Sequence, residues 1–297
     1  LVAFPLAMLL LGSVSGEGEL TKGFTIQNYL DTYGDPRTYR LLAYSVAYSF
    51  GSSFLALTLG TGLAWIIERT NTPGRRAFFA LSLVPLIVPG VVSTIAWIFL
   101  LSGQIGVLNR GLMAVFGLES APFDVFSLGG MIWAEGLHLS PLVFLLMSAA
   151  FKSMDPSLEE SALTSGSNTW RTLRRVTLPI LLPAFASATL IMFVRGLESF
   201  EVPRLIGVPA RVPVFTSEIY AQLHEYPADY GGAGALAVGL LGISAVGVWL
   251  YQRLTGRAER FATVTGKAFR PRVLDLGAWR YATLALLIVY FLLIIGM

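Results

Sequence analysis

The stretch DPSLEESALTSGSNTWRTLRRVTLPILLPA, residues 155–184, places a polar segment between two strongly apolar ones. Asp155 is a suitable N-cap, and Pro156 suits the first position of a helix, where no backbone N–H is needed. Glu159 and Glu160 follow in the first turns, where negative charge interacts favourably with the positive end of the helix dipole. A short helix is therefore predicted to begin at Pro156.

The same stretch contains a helix stop and a second helix start. Gly166 can adopt the left-handed conformation that ends a helix, and Ser167 or Asn168 can cap a second short helix over residues 170–175. The next apolar run starts directly afterwards. Such a helix–turn–helix fits a docking surface for another protein, and it fits an ordinary capped loop equally well.

Composition assigns the chain to the membrane proteins. Hydrophobic residues make up 55% of the 297 positions and charged residues 13%, and the mean hydropathy is +0.67, values typical of a chain buried in lipid. The pI of about 9.2 does not indicate nucleic-acid binding, because the basic residues lie in short loops between apolar runs, where they set orientation in a bilayer. With no cysteine, the chain has no disulfide framework, thiolate metal site or cysteine nucleophile.

Apolar runs long enough to cross a hydrocarbon core of about 30 Å predict an all-α fold, a polytopic membrane helical bundle. Some runs are complete, and two at the ends of the sequence look like helices cut short. The complete runs are Leu41–Ile67, Ala77–Leu101, Gly129–Phe151, Val176–Leu197 and Ala233–Tyr251, and the partial ones are Leu1–Leu11 and Tyr281–Met297. A kink is predicted at Pro85, in the sequence PLIVPG.

The loops after alternate runs carry the positive charge. Arginine and lysine are concentrated in residues 69–76, 152–175 and 253–280, whereas the intervening loops are longer, poorer in cations and richer in acids. Since cytoplasmic loops of membrane proteins are enriched in Lys and Arg, these loops are predicted to be cytoplasmic. The helix–turn–helix of residues 155–175 therefore faces the cytoplasm.

The spacing within the helix–turn–helix resembles a family signature. Glu160-Ser161-Ala162, three residues, Gly166, nine residues, Val176, one residue and Leu178-Pro179 is similar to the cytoplasmic signature of type I ABC importer permeases. That signature has Ala where Ser161 stands and Ile where Val176 stands, both mild departures. The resemblance implies a pair of coupling helices that dock on a cytoplasmic ATPase, through Glu159, Glu160, Ser161, Ala162, Gly166, Leu178 and Pro179.

The resemblance covers most of the chain, from about Arg40 to Tyr251. The sequence GQIGVLNRGL (Gly103–Leu112) resembles an external segment of these permeases. Residues Arg195–Tyr220 resemble the corresponding outer loop of the ferric-iron branch, whose members commonly carry two fused halves. Thiamine and polyamine permeases are also similar, so ferric iron is the favoured substrate and those solutes are the alternatives.

The resemblance implies a multi-pass inner-membrane subunit that forms a substrate path and depends on partners. These are ABC ATPase subunits, an extracytoplasmic substrate-binding protein and a second permease half, expected to be fused. The chain contains no Walker sequence of the form Gly-x₄-Gly-Lys-Ser/Thr, so ATP hydrolysis is expected on a partner, and no catalytic residue, metal or cofactor is expected here. The expected domains are a partial first membrane helix with an outer loop (1–40), the core permease (41–252), and a cytoplasmic linker with the start of a second half (253–297).

Charged residues near the outward end of one span are candidates for an outer gate or the substrate path. Arg195 and Glu198 are three residues apart and share one helical face, and Glu201 repeats the step if the helix continues to Val202. Charges beside hydrocarbon are costly unless they pair or line water. An Arg–Glu pair that anchors the helix end at the membrane interface is the alternative interpretation.

Other ionisable residues and other classes of protein fit the sequence less well. His138 and His224 lie far apart and lack metal-ligand spacing, whereas Glu135 fits either a buried functional carboxylate or an interfacial position beside Trp133. An ion-coupled secondary transporter would bury carboxylates at midplane and would have no use for a docking element. An enzyme would need a nucleophile, a base and an orienting acid, which these loops do not group.

Overall fold

The computed structural model describes residues 3–16, 23–255 and 273–295. Within these residues every regular element is helical, with two isolated β-bridges beside them, so the predicted all-α class is confirmed. The α-helices are, in chain order, α1 (Ala3–Ser13), α2 (Gln27–Gly34), α3 (Pro36–Arg69), α4 (Arg75–Leu81), α5 (Gly90–Leu101), α6 (Val107–Phe116), α7 (Leu128–Ser153), α8 (Pro156–Thr164), α9 (Thr169–Thr172), α10 (Leu178–Glu198), α11 (Phe215–His224), α12 (Tyr230–Thr255) and α13 (Trp279–Ile295).

Four helices of the described residues are long and apolar enough to cross a membrane. They are α3, α7, α12, and α10 together with the turn before it. All four match predicted spans, although α3 begins at Pro36 rather than at Leu41. With 34 residues, α3 is about 51 Å long at 1.5 Å per residue, so it is longer than a hydrocarbon core of about 30 Å.

The remaining complete run, Ala77–Leu101, folds as a broken pair of helices. A short 3₁₀ turn, Val84–Leu86, lies between α4 and α5, and the two helices are bent by 101°. Pro85 lies in this turn and Pro89 directly precedes α5. Because proline has no N–H to donate to the preceding turn, two prolines in five residues interrupt the helix. The predicted kink at Pro85 is confirmed.

The chain divides into two compact units. The first comprises Leu1–Gly51, Thr94–Glu135 and Phe193–Trp249, and the second comprises Ser52–Ser93, Gly136–Met192 and Leu250–Met297. In the first unit, side chains from α3, α11 and α12 form a buried apolar cluster centred on Leu41, Phe215 and Leu236. The cluster packs α3, the helix that also carries Tyr48, against α11 and α12.

Asn109 organises the connection around α6 in the first unit. This buried side chain donates from Nδ2 to the carbonyl oxygens of Leu101, Ser102 and Phe123 at 3.1, 3.0 and 2.8 Å. Its Oδ1 accepts the backbone N–H of Phe123 at 3.2 Å. One amide therefore satisfies backbone groups that follow α5 and precede α7, which gives the segment GQIGVLNRGL a defined structure.

In the second unit, α3 and α7 pack at close range. A Cβ built on Gly60 would lie 2.6 Å from the Ser140 carbonyl oxygen, 2.6 Å from the Val143 Cβ and 2.8 Å from the Phe144 nitrogen. Ordinary carbon contacts lie near 3.5–4.0 Å, so only glycine fits this position. Small residues permit this kind of backbone approach between membrane helices.

Helix α13 also belongs to the second unit. The Tyr290 hydroxyl lies 2.8 Å from Ser140 Oγ on α7, and the Phe291 ring stacks on Phe78 of α4 at 5.4 Å. The partial run predicted at Tyr281–Met297 is thus helical over Trp279–Ile295, and the run at Leu1–Leu11 is helical over Ala3–Ser13. The basic linker predicted between α12 and α13 lies, over residues 256–272, outside the described residues.

The predicted second short helix is not separate from the span that follows it. Helix α9 continues through a π-helical turn, Leu173–Thr177, directly into α10. The Leu178 N–H bonds to the Leu173 carbonyl, five residues earlier, and Pro179 has no N–H to place. The wider turn thus admits the proline without ending the helix, as π-bulges do. The predicted second helix is therefore continuous with the following span, and α10 itself begins at Leu178.

The condition for Glu201 to repeat the helical step, a continuation of α10 to Val202, is not met. The helix ends at Glu198, and Ser199 and Phe200 are not helical. In a continued helix the Ser199 carbonyl would accept a hydrogen bond from residue 203, which is a proline and has no N–H. The Thr216 hydroxyl donates to that carbonyl instead, at 2.8 Å. Glu198 and Glu201 therefore lie on opposite sides of a break.

Candidate coupling and pathway sites

The helix–turn–helix has the predicted caps. Asp155 Oδ1 accepts the Ser157 N–H at 2.9 Å at the start of α8, and Asn168 Oδ1 accepts the Arg171 N–H at 2.8 Å at the start of α9. Between them Gly166 has a φ of +85°, a conformation that residues with a Cβ rarely adopt. The predictions for Asp155, Gly166 and Asn168 are confirmed.

The turn between α8 and α9 is a Schellman motif. The Ser167 N–H bonds to the Ala162 carbonyl at 3.0 Å, the six-to-one bond of this motif with the left-handed glycine between the two residues. Satisfying a carbonyl at the end of α8 in this way gives the short helix a defined end. The exposed polypeptide between the two helices is therefore a structured surface.

Two adjacent carboxylates of α8 have opposite environments. Glu159 is 6% exposed, and its Oε2 forms an ion pair with Nη2 of Arg69, a residue at the end of α3 that is 3% exposed. Its Oε1 accepts the Thr177 hydroxyl at 2.6 Å. Glu160 is exposed. Glu159 thus connects α8 to the end of α3 and to the turn before α10, whereas Glu160 is available to a partner.

The other residues of the predicted coupling set lie on α8, at the turn and at the start of α10. Ser161 is exposed, and its hydroxyl donates to the Ser157 carbonyl at 2.7 Å. Ala162 is half-buried and Gly166 is exposed. Leu178 and Pro179 are exposed at the start of α10. The exposed residues of α8 and the turn are polar or small, whereas the exposed residues at the start of α10 are apolar.

A buried hydrogen-bonded group lies at the outer end of α10, in the first unit. Glu135 on α7 is 5% exposed, and its Oε2 accepts hydrogen bonds from the Tyr48 hydroxyl at 3.0 Å and the Ser199 hydroxyl at 2.9 Å. The two hydroxyl oxygens are 3.1 Å apart. A carboxylate in a membrane-spanning helix is costly and usually has a functional reason. Glu135 is therefore a buried, hydrogen-bonded carboxylate.

The residues predicted for the path surround the helix break rather than one helical face. Arg195 and Glu198 are exposed on the last turn of α10, and Glu201 is half-buried after the break. No ion pair joins Arg195 to Glu198 among the described residues. Glu201 and Arg195 both lie close enough to Glu135 to interact with it electrostatically. The hydrogen-bonded group of Tyr48, Glu135 and Ser199 therefore lies close to the predicted residues.

Glu135 stands out in the sequence as an acid within an apolar run, but its partners do not. Tyr48 is one of 11 tyrosines, and it lies 87 positions from Glu135. Ser199 is a common residue type next to a charged one. The one local signal is Pro203, whose missing N–H predicts the break that turns Ser199 away from a helical position. Among the described residues, no three His, Cys, Asp or Glu side chains are grouped to hold a metal ion.

The described residues therefore form a polytopic membrane helical bundle with an exposed, capped helix–turn–helix. The sequence pattern of the family described as "Binding-protein-dependent transport system inner membrane component" matches residues 56–260. The chain belongs to this family, whose members are permease components of ABC importers in the inner membrane.

Three similar proteins show the range of the family. The ferric transport system permease protein FbpB of Actinobacillus pleuropneumoniae is 28% identical over 255 residues, which are 83% of this chain and 36% of that protein. The molybdenum transport system permease protein ModB of Escherichia coli is 27% identical over 212 residues, 69% of this chain and 90% of that protein. A chain of a bacterial alginate ABC transporter, crystallised with its alginate-bound periplasmic protein, matches with a TM-score of 0.71 at 21% identity, over 86% of this chain and 88% of that chain. The chain spans only about a third of the length of the ferric relative.

Proposed function

We propose that this chain forms part of the transmembrane path of an ABC importer, driven by a separate cytoplasmic ATPase and supplied by an extracytoplasmic binding protein. The family match over residues 56–260 is the observation that carries the proposal. A similar chain comes from an ABC transporter crystallised with its periplasmic protein, which supports the same partners here. The permease itself would hydrolyse nothing.

The proposed contact with the ATPase is the exposed face of α8 and the following turn. Glu160, Ser161 and Gly166 are exposed there, and Ala162 is half-buried beside them. Glu159 would act from inside, because its ion pair with Arg69 fixes the rotation of α8 about its own axis. Leu178 and Pro179 would connect the docking face to α10.

Reversing Glu160 to Lys tests this contact. If Glu160 meets a buried cation of the ATPase, the change costs about 2–5 kcal/mol of association, which is at least about 30-fold in affinity. The assay is co-purification with the ATPase together with binding-protein-stimulated ATP hydrolysis. Glu119→Lys is the matched control, since Glu119 is exposed in a loop far along the sequence from this element. Normal association and transport by the Glu160 variant would remove the residue from the interface.

Gly166→Val tests the turn independently of charge. A β-branched residue is strained at a φ of +85°, so the turn must change its conformation. We expect ATPase association to fall while insertion in the membrane is unchanged. Wild-type coupling in this variant would contradict the proposal that the turn is part of the docking surface.

We also propose that Arg195, Glu198 and Glu201 contribute to the outer gate or the substrate path. They lie at the outer end of α10 and around its break, with two of them exposed. Glu198→Gln and Glu201→Gln, made separately, should reduce uptake while the yield of the complex stays constant. If uptake, stimulated ATP hydrolysis and yield fall together, the residues anchor the helix end instead.

We propose ferric iron as the substrate, because a ferric permease is among the similar proteins and the outer loop Arg195–Tyr220 resembles that of the ferric-iron branch. The molybdenum permease relative shows that similar chains serve oxyanions, so the experiment must include both. Uptake of radiolabelled ferric iron and molybdate into cells carrying the complete system, each with an excess of the other, decides the class. Uptake of molybdate without uptake of ferric iron would contradict the proposal that iron is the substrate.

A second permease half, fused to this one, is the remaining proposal. It is supported by the ferric relative, of which this chain covers 36%, and by α13, an apolar helix that follows the core domain. The gene that encodes the chain should contain a second copy of the Glu-x-Ala, Gly, Leu-Pro spacing. A gene without this second copy would indicate a separate partner subunit.

A further inference from the structure

The second unit contains a cavity with basic and apolar walls that the proposed transport function does not use. Its volume is about 450 Å³, and its charged lining residues are Glu68, Arg75, Arg76 and Lys152. They come from the end of α3, the start of α4 and the end of α7. All of these helix ends are predicted to face the cytoplasm, so the cavity is expected on the cytoplasmic side of the membrane.

Among the described residues, Glu68 is the one acid of the lining, and its charge is offset by a neighbour. Lys152 Nζ lies 3.0 Å from Glu68 Oε1, and the Ser148 hydroxyl donates to the same oxygen at 2.5 Å. Lys152 also lies over the Phe79 ring, 4.4 Å from its centre. Because the charges of Glu68 and Lys152 offset each other, the net positive charge of the described lining comes from Arg75 and Arg76.

The two arginines differ in how they are held. Arg75 is half-buried, and its Nη1 donates to the Thr70 carbonyl at 3.2 Å, which directs it to the end of α3. Arg76 is exposed beside it, and its guanidinium has no ion pair among the described residues. A fixed and an adaptable guanidinium on adjacent residues suit a group with several acceptor oxygens, such as a phosphate.

The rest of the lining is apolar. Ile67, Phe79 and Val273 complete the walls. The bent segment that follows α4 exposes large apolar side chains, with Ile87 82% and Leu86 41% exposed. A free anion would gain nothing from these walls, whereas a molecule with a phosphate and acyl chains would contact both surfaces.

We propose that this cavity binds the phosphate-bearing headgroup of an anionic phospholipid of the cytoplasmic leaflet. Basic pockets between membrane helices on this side commonly hold such headgroups. A lipid there would contact the end of α3 next to Arg69, so it would stabilise the end of the helix to which the coupling element is tied.

The test is a binding titration of the complete purified transporter in detergent. The ligands are short-chain phosphatidylglycerol, short-chain phosphatidylcholine, which has no net charge, and inorganic phosphate. We expect saturable binding of phosphatidylglycerol, and an Arg76→Gln variant should bind it about fivefold more weakly, since one basic residue near a lipid surface contributes about 1 kcal/mol. Arg76→Gln removes no ion pair of the described residues, so the variant should fold.

The control is Arg110→Gln, which removes an exposed arginine from α6 and should leave the lipid affinity unchanged. The same affinity in the Arg76 and Arg110 variants would overturn the site. Equal binding of phosphatidylcholine would show that charge does not matter and would also overturn it. If inorganic phosphate displaces the lipid at matched concentration, the cavity is a free-anion site and the lipid assignment is wrong.

Discussion

The buried ion pair between Arg69 and Glu159 allows a direct test of how the helix–turn–helix is held in place. Replacing Arg69 with Met keeps much of the side-chain volume and removes the charge. Glu159, 6% exposed, would then be a buried carboxylate with the Thr177 hydroxyl as its remaining partner. Removing one partner of a buried pair costs about 3–5 kcal/mol, because the other charge is left uncompensated.

The comparison variants separate this cost from a general effect of losing an arginine. Arg37 forms an ion pair with Glu218 at 3.2 Å, but its side chain is 62% exposed. Arg37→Met should therefore cost about 1 kcal/mol or less. A double variant, Arg69→Met with Glu159→Leu, replaces the pair by apolar groups and should recover most of the loss, since such replacements are often neutral.

The measurement is the free energy of unfolding of the purified protein in mixed micelles, for the wild type, Arg69→Met, Glu159→Leu, the double variant and the control Arg37→Met. The first four values form a double-mutant cycle, whose coupling energy should be about 3 kcal/mol or more. Equal losses of unfolding free energy in Arg69→Met and Arg37→Met would refute the reasoning. So would a double variant whose loss equals the sum of the losses in its two single variants.

Two further predictions concern close contacts between helices. Glu135→Leu should destabilise the protein by about 1–3 kcal/mol, because the Tyr48 and Ser199 hydroxyls lose their carboxylate acceptor in a buried site. Glu135→Gln should cost less; unfolding in micelles measures both, and equal losses would show that these hydrogen bonds do not matter. Gly60→Ala should destabilise the protein by about 1–3 kcal/mol, because its Cβ would lie 2.6 Å from a backbone oxygen of α7. Gly62→Ala, with nothing within 4 Å of the added Cβ, should be neutral or stabilising. The Gly60 variant should therefore have the lower melting temperature, and similar melting temperatures for both variants would contradict the close packing of α3 and α7.

The sequence predicted those features of the fold whose causes are local. Caps at Asp155 and Asn168, the left-handed Gly166 and the break at Pro85 all depend on residues within a few positions of each other. Long apolar runs predicted the spans for the same reason. The helix bounds differ from the predicted ones by a few residues, as at Pro36, where polar residues extend a membrane helix beyond the lipid.

Errors and omissions arose where a distant group decides the structure. The break after Glu198 depends on Pro203, which could have been read from the sequence, and also on Thr216, which could not. The partners of Glu135 are separated from it by 87 and 64 positions, so no local pattern links them. The pair of Arg69 with Glu159 spans 90 positions. Such contacts are determined by the packing of distant segments, so they cannot be predicted from local sequence patterns.

The opposite environments of Glu159 and Glu160 follow from helix geometry and lead to one more consequence. Successive residues on an α-helix point about 100° apart, so when one carboxylate is directed to Arg69 the next is directed away from it. The ion pair therefore orients the exposed face of α8 in addition to stabilising it. Because Thr177 also bonds to Glu159, that orientation is tied to the turn that leads into α10. A variant that breaks the pair should thus impair docking through Glu160 even where the protein remains folded.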